Sequence, residues 1–298
     1  MNTITRFAYA KINLTLDVGQ RRPDGYHEIR SVMQTIKLHD MVSIALDPVP
    51  GVHLTVTGDE AFGVPVDETN LIHKAAVRLQ KIASAHGTLA GSESGLQIVL
   101  NKCIPSQAGL GGGSSDAAST LLAVNELFGL MLSITRLSEI GAALGADVPF
   151  FLTGGTALAE GLGEHITPLL PLTPNWPLVI MKPNIGISTA AAYAALDGNP
   201  NRSTGGAAQR WLQDRQTLSN DFETVILPAY PEVAAAYKLL SQTAEAGESF
   251  KPLLCGSGAA LFLRASSNES AGRIAEGIRA AGIGKVWVTE TLSIGSKE

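Results

Sequence analysis

The chain has 298 residues, 45% hydrophobic and 16% charged, with a formal net charge of −5 at pH 7. That composition describes a globular protein with enough apolar sequence for a large core, in two domains or one large one, and it disfavours a nucleic-acid-binding face, which needs a basic surface. No apolar run is long enough to cross a membrane, and the two cysteines, Cys103 and Cys255, stand far apart with no partner at metal spacing, so both read as small core residues.

The N-terminus runs from Met1 through Arg6 straight into a strand-like segment, with neither a signal-peptide core nor an Arg/Ser-rich transit extension. A cytoplasmic location is the expectation. Ile12, Leu14, Leu16 and Val18 alternate with polar residues, the pattern of a half-buried strand. Pro23 and Gly25 then make a turn, because proline presets φ and glycine accepts positive φ. Val42, Ile44, Leu46 and then Val52, Leu54, Val56 predict two further strands, and Leu71, Ala75, Leu79 and Ile82 predict a helix from Asn70 to His86. Leu96, Ile98 and Leu100 mark another strand. Leu137, Ile140, Ala143 and Leu144 form a helical stripe ended by Gly145. Beyond Gly154-Gly155, strands are expected at 177–181, 252–255, 259–263 and 286–289, with helices at 189–196, 233–240 and 269–281. Strands and helices that do not interleave regularly argue for an α+β fold rather than a doubly wound parallel sheet. A boundary near residue 155 divides the chain into units of 1–155 and 156–298.

The segment from Pro105 to Asp116 is the most informative. Gly109, Gly111, Gly112 and Gly113 lead through Ser114, Ser115 and Asp116 into Ala117, Leu121, Val124 and Phe128 at helical spacing. Glycines let a backbone approach a ligand, serines and aspartate cap helices, and a free helix N-terminus attracts phosphate. The loop is not a Walker loop, since Ser114 stands where a lysine is required, and it lacks the last glycine of a dinucleotide loop. A flexible surface loop is the plainer alternative, but such a loop rarely joins an apolar strand to a capped helix.

Three ordered segments, Ala8 to Leu14, Ala108 to Ala117 and Leu254 to Ala259, resemble those of the small-molecule kinases named for galactose, homoserine, mevalonate and phosphomevalonate. Four more narrow the resemblance to the branch that acts on a cytidine diphosphate conjugate of methylerythritol: Arg22 to Glu28, Gly145 to Phe151, Lys182 to Thr189 and Asn220 to Glu223. Each match is weak alone; the ordered set, spread from residue 8 to about 263, is specific. The resemblance implies two α+β domains with the active site in the cleft between them. The first is a ribosomal-protein-like ATP-binding domain. The second is a ferredoxin-like substrate domain, whose last strand could return to the first. It implies phosphorylation by ATP and Mg²⁺ of the 2-hydroxyl of the methylerythritol unit, in the non-mevalonate route to isoprenoid precursors. The partners are then small molecules, not nucleic acid or membrane, and the chain is a monomer or homodimer.

The resemblance also assigns roles. Asp147 is the implied base or orienting group for the attacking hydroxyl, where an N-cap or surface-turn carboxylate is the plainer reading. Lys11 is its implied partner, where a strand-edge lysine is the plainer one. Pro105, Gln107, Ala108, Gly109, Leu110, Gly111, Gly112, Gly113, Ser114 and Ser115 would hold the ATP phosphates. The two serines either bond phosphate, touch Mg²⁺ or only cap the helix; no metal-ligand set stands out in the sequence. Asn70 and Lys102 would lie near the same nucleotide. Asn13 shares a strand face with Lys11 and would bond the substrate. Tyr26, His27 and Tyr193 would read the cytosine, Thr189 would touch the substrate, and Gly256, Ser257 and Gly258 would approach its diphosphate. In that last segment Cys255 stands where many relatives have Thr or Ser, and Ala259 where many have Pro. The alternatives are another kinase of the superfamily, against which Tyr26 and His27 speak, and a non-catalytic nucleotide sensor, which would be expected to lose Lys11 or Asp147.

Overall fold

A computed structural model describes residues 3–85, 94–199, 205–244 and 251–293. His86, expected at the end of the first helix, lies outside them. β1 (Thr3–Arg21) and β2 (His27–Asp47) form a long antiparallel hairpin. Its turn is the one expected: Gly25 has φ 88° and donates its N–H to the Arg22 carbonyl. β3 (Val52–Thr57) and β4 (Gly95–Asn101) extend the sheet beyond β2. α1 (Leu71–Ala85), α2 (Gly112–Leu127), α3 (Ile134–Ala142) and the short α4 (Val148–Thr153) pack over it. Their apolar stripes, including Leu79, Leu121, Leu137 and Phe150, meet Val42, Ile44 and Ile98 in one core.

β5 (Thr156–Glu160) pairs with β2, and β6 (His165–Pro168) pairs with β5. Residues 156–168 therefore belong to the first sheet, although the sequence reading assigned them to the second unit. Gly154 and Gly155, both at positive φ, turn the chain back from α4 into that sheet and do not open a linker. The second sheet starts with β7 (Pro177–Pro183). After α5 (Thr189–Asp197) and α6 (Ala207–Asp214) the chain touches the first sheet again at β8 (Ser219–Asn220), parallel to β1. α7 (Glu223–Ala229), α8 (Pro231–Thr243), β9 (Leu253–Leu254), β10 (Leu261–Arg264), α9 (Asn268–Ala281) and β11 (Gly284–Glu290) follow. The order β11-β7-β10-β9, antiparallel throughout, is that of a ferredoxin-like sheet. The last strand stays in this sheet. Its end and the residues after it nevertheless reach the first sheet: the Leu38 N–H donates to Thr289 Oγ1, Lys37 pairs with Glu290 at 3.1 Å, Thr291 bridges to Ile36 and the Leu292 N–H donates to the Thr35 carbonyl.

The fold is α+β, and its two sheets are joined through a third apolar cluster. Ala10, Ile12 and Leu14 of β1 meet Leu178, Ile180 and Phe262 of the second sheet and Trp211 of α6. β1 is consequently not half-buried: every residue from Ala10 to Val18 is buried. The alternate polar residues are tolerated there because they are satisfied, since a buried polar group without a partner is costly. Asp17, for instance, accepts the Ala207 and Ala208 N–H groups at 3.0 and 2.9 Å, capping α6. Phe150 is fully buried in the helical core and packs edge-on against Phe151. Phe150→Ala should cost about 3–5 kcal/mol of stability in urea denaturation, because the cavity would not collapse fully.

Candidate active site

A cleft of about 1410 Å³ opens between the two units. Every residue expected at the site lines it except Ser115. α2 begins earlier than the serines suggest: Gly111 is the N-cap, at φ 72°, with no side-chain cap. The first intrahelical bond of α2 runs from the Ser115 N–H to the Gly111 carbonyl. The N–H groups of Gly112, Gly113 and Ser114 are thus left without helical acceptors at the positive end of a 16-residue helix, facing the cleft. Ser114 borders the cleft, whereas Ser115, one position on, turns inward and its hydroxyl is buried without a hydrogen-bond partner. Neither serine caps the helix. Glycine is required at 109: φ is 73°, and a Cβ there would sit 1.8 Å from the Cys255 carbonyl oxygen. The loop is zipped to the second unit by bonds from the Ala259 N–H to the Gln107 carbonyl and from the Ala260 N–H to the Ala108 carbonyl.

Lys11 projects from β1 beside this helix start. Its ammonium donates to Asn13 Oδ1 at 2.7 Å and lies 3.7 Å from Asp147 Oδ2. Asn13 in turn donates to Ser31 Oγ at 2.8 Å, and Ser31 to the Thr15 carbonyl. Lys11 is buried, whereas 31% of the Asp147 side chain is exposed. Asp147 occupies the N-cap position of α4, but its side chain makes no capping bond. The carboxylate is therefore held toward Lys11 and the cleft, and the plainer N-cap reading does not apply.

Lys102 is not a free cation. It forms ion pairs with Asp40 and with Asp116, the latter at 2.8 Å, beneath the first turn of α2. Burial alone would lower the Lys102 ammonium, but Asp116 and Asp40 beside it raise it. Asp40 also accepts the Cys103 and Ile104 N–H groups. Asp116 lacks such help: burial, opposed by Lys102 and reinforced by Asp40, pushes its carboxyl up to about 8. Asn70 is likewise engaged, capping α1 through the Ile72 N–H at 2.9 Å and donating to the Pro65 carbonyl.

At the far end of the cleft His27 is buried and Tyr26 is 63% exposed. The Tyr193 ring stacks on His27 at 5.0 Å and meets Phe222 edge-on. His27 is held by the Gly19 carbonyl through Nδ1 and by Asp197 Oδ1, 3.2 Å from Nε2. Asp197, which also faces Arg21 at 3.8 Å, lines the cleft and was missed by sequence reasoning. It ends α5, and only knowledge that α5 packs beside His27 could have found it. Thr189 approaches Ser257, Oγ to Oγ, at 3.3 Å. Cys255, behind that loop, is no nucleophile, because burial pushes its thiol up to about 12. Glu223, whose carboxylate accepts the Leu254 N–H at 2.8 Å, is pushed up to about 7 by burial.

Comparison with known proteins gives the family. Residues 70–155 match the model of the GHMP kinases N terminal domain. The 4-diphosphocytidyl-2-C-methyl-D-erythritol kinase of Geobacter metallireducens is 44% identical over 93% of this chain and 95% of its own length. The kinase of the same name from Moorella thermoacetica is 43% identical over 92% and 94%. The chain belongs to the 4-diphosphocytidyl-2-C-methyl-D-erythritol kinase family. A crystal structure of 4-(cytidine 5'-diphospho)-2C-methyl-D-erythritol kinase superposes with a TM-score of 0.73 at 32% identity, covering 97% of this chain and 99% of the other. Homoserine kinase from Cytophaga hutchinsonii reaches the same TM-score at 20% identity over 99% and 96%, and shares the fold.

Two stability measurements check the local analysis. Gly109→Ala should cost about 2–4 kcal/mol in urea denaturation, since the added Cβ meets backbone and the left-handed conformation strains it. Glu223 should lower stability as pH rises from its ordinary value of 4.5 to about 7, because the folded state keeps a proton that the unfolded chain releases. Glu223→Gln keeps the acceptor and cannot ionise. Its melting temperature should gain on wild type between pH 5 and pH 8, by an equivalent of at most about 3 kcal/mol.

Proposed function

We propose that this protein transfers the γ-phosphoryl group of ATP to the 2-hydroxyl of 4-diphosphocytidyl-2-C-methyl-D-erythritol, giving the 2-phosphate and ADP. The observation that carries the reading is the Lys11–Asp147 pair at 3.7 Å, set between an uncapped helix start and an aromatic-lined end of the same cleft. Phosphoryl transfer asks a protein for positioning and charge stabilisation more than for covalent chemistry. The free N–H groups of Gly112, Gly113 and Ser114 supply donors for the phosphates, and the backbone from Pro105 to Gly111 wraps them. Asp147 takes the proton of the 2-hydroxyl as its oxygen bonds to the γ-phosphorus and the bond to the ADP oxygen breaks. Lys11 stabilises the negative charge on the reacting oxygens, and Asn13 holds the Lys11 ammonium and bonds the polyol.

Tyr26, His27 and Tyr193 receive the cytosine, with Asp197 holding the His27 ring. Thr189 and the loop Gly256-Ser257-Gly258 receive the diphosphate, and Asn70 and Lys102 border the nucleotide. Among the described residues no three His, Cys, Asp or Glu side chains gather into a metal cage. Mg²⁺ would fit as a companion of ATP, with the Ser114 hydroxyl as the side chain at hand to help hold it, and when bound it would neutralise phosphate charge.

ADP release should be seen with the cytidyl substrate and not with homoserine or mevalonate. Asp147→Asn should lower kcat by ~10²–10⁴. In a double-mutant cycle with Lys11→Met, the two losses should be strongly non-additive. Near-normal turnover in Asp147→Asn would remove the general-base role, and additive losses would remove the coupling.

A further inference from the structure

Asn220 lies outside the cleft lining, yet it reaches the substrate-facing loop from behind. Its backbone pairs with Leu16 of β1, the strand that carries Lys11 and Asn13. Its buried carboxamide spends both of its donors and one acceptor site on backbone. The two Nδ2 hydrogens go to the Leu254 and Gly256 carbonyls, each at 2.8 Å, and Oδ1 accepts the Phe222 N–H at 3.0 Å.

The Gly256 bond has a directional consequence. In a planar trans peptide the C=O of one residue and the N–H of the next point in opposite directions. With the Gly256 carbonyl drawn to Asn220, the Ser257 N–H is turned the other way, and among the described residues it has no acceptor. Ser257 and Gly256 line the cleft, and a Cβ on Gly256 would lie 3.2 Å from Lys11 Nζ. The Gly258 N–H, by contrast, is already bonded to the Cys255 carbonyl.

We infer that Asn220 is a positioning residue that aims the Ser257 N–H at the diphosphate of the substrate and locks this loop to the strand bearing Lys11. The inference rests on the function proposed above. Aspartate is the sharpest substitute, since it has the same shape but offers no hydrogens to two carbonyls. Serine is milder, retaining one donor.

The test is steady-state kinetics of wild type, Asn220→Asp and Asn220→Ser, with melting temperatures alongside. The readouts are KM for the cytidyl diphosphate substrate, KM for ATP, and the inhibition constant of free cytidine competing with that substrate. Loss of an aimed donor to a charged group should raise KM for the diphosphate substrate about tenfold, leaving KM for ATP and the cytidine constant within about twofold. If Asn220→Asp does not fold, the same pattern is read from Asn220→Ser. Unchanged constants in a folded variant, or a rise in all three together, overturn the positioning role while the kinase reading stands. Wild-type protein that turns over no cytidyl substrate overturns both.

Discussion

A lysine inside a β-strand whose neighbours are apolar is expensive to bury unless its charge has partners, and the partners of Lys11 organise the site. The ammonium is shared between Asn13 on the same strand and Asp147 on a different element, while the Lys11 backbone N–H donates to the Leu110 carbonyl at 3.0 Å. One residue thereby ties the central hairpin to the phosphate loop and to the start of α4. The rest of the first unit can be understood as holding those three elements in contact: Phe150 and Phe151 anchor α4, and Leu121 and Val124 anchor α2.

Close backbone approach is the second constraint. Gly109 presses on the carbonyl of Cys255, and Gly111 leaves room where a Cβ would meet the Phe151 ring at 2.6 Å and Lys11 Cγ at 3.1 Å. The first of these contacts joins loops from opposite units across the cleft, so the helix N-terminus and the Gly256-Ser257-Gly258 loop form one continuous rim; the second seats the helix start on Phe151 and Lys11 of its own unit. Because Gly111 caps α2 without a side chain, the N–H groups stay open for an anion. A serine or aspartate cap would have consumed one of them.

The buried charges beneath α2 show how selective this arrangement is. Lys102 sits between two carboxylates, and one of these, Asp40, is further satisfied by two backbone N–H groups. One cation between two anions would leave a net negative charge under a phosphate site. Burial eases the conflict by raising the Asp116 carboxyl against the opposing pull of Lys102.

Many strands and helices were legible from hydrophobic periodicity, and the loop before α2 from its glycines, because both signals are local, whereas β5, β6, β8, α6 and α7 were not anticipated. The ordered motifs picked out residues that the fold gathers along one cleft. What was not legible shares one cause. The boundary near 155 was drawn without sight of the pairing of β5 with β2, a strand far away in sequence. The half-buried reading of β1 failed because a second sheet covers it. The inward turn of the Ser115 side chain was hidden because spacing does not reveal which way a residue in the first helical turn faces. Asp197 and Asn220 were likewise invisible as site residues, since each acts on groups brought close only by the packing of the second unit. The sequence by itself determined the elements with strong apolar periodicity and the glycine-rich loop that opens α2, which follow from local backbone preference and side-chain chemistry. Only the tertiary structure decided which polar groups are buried, which are paired and which remain free for substrate, because those properties depend on neighbours the chain supplies from hundreds of residues away.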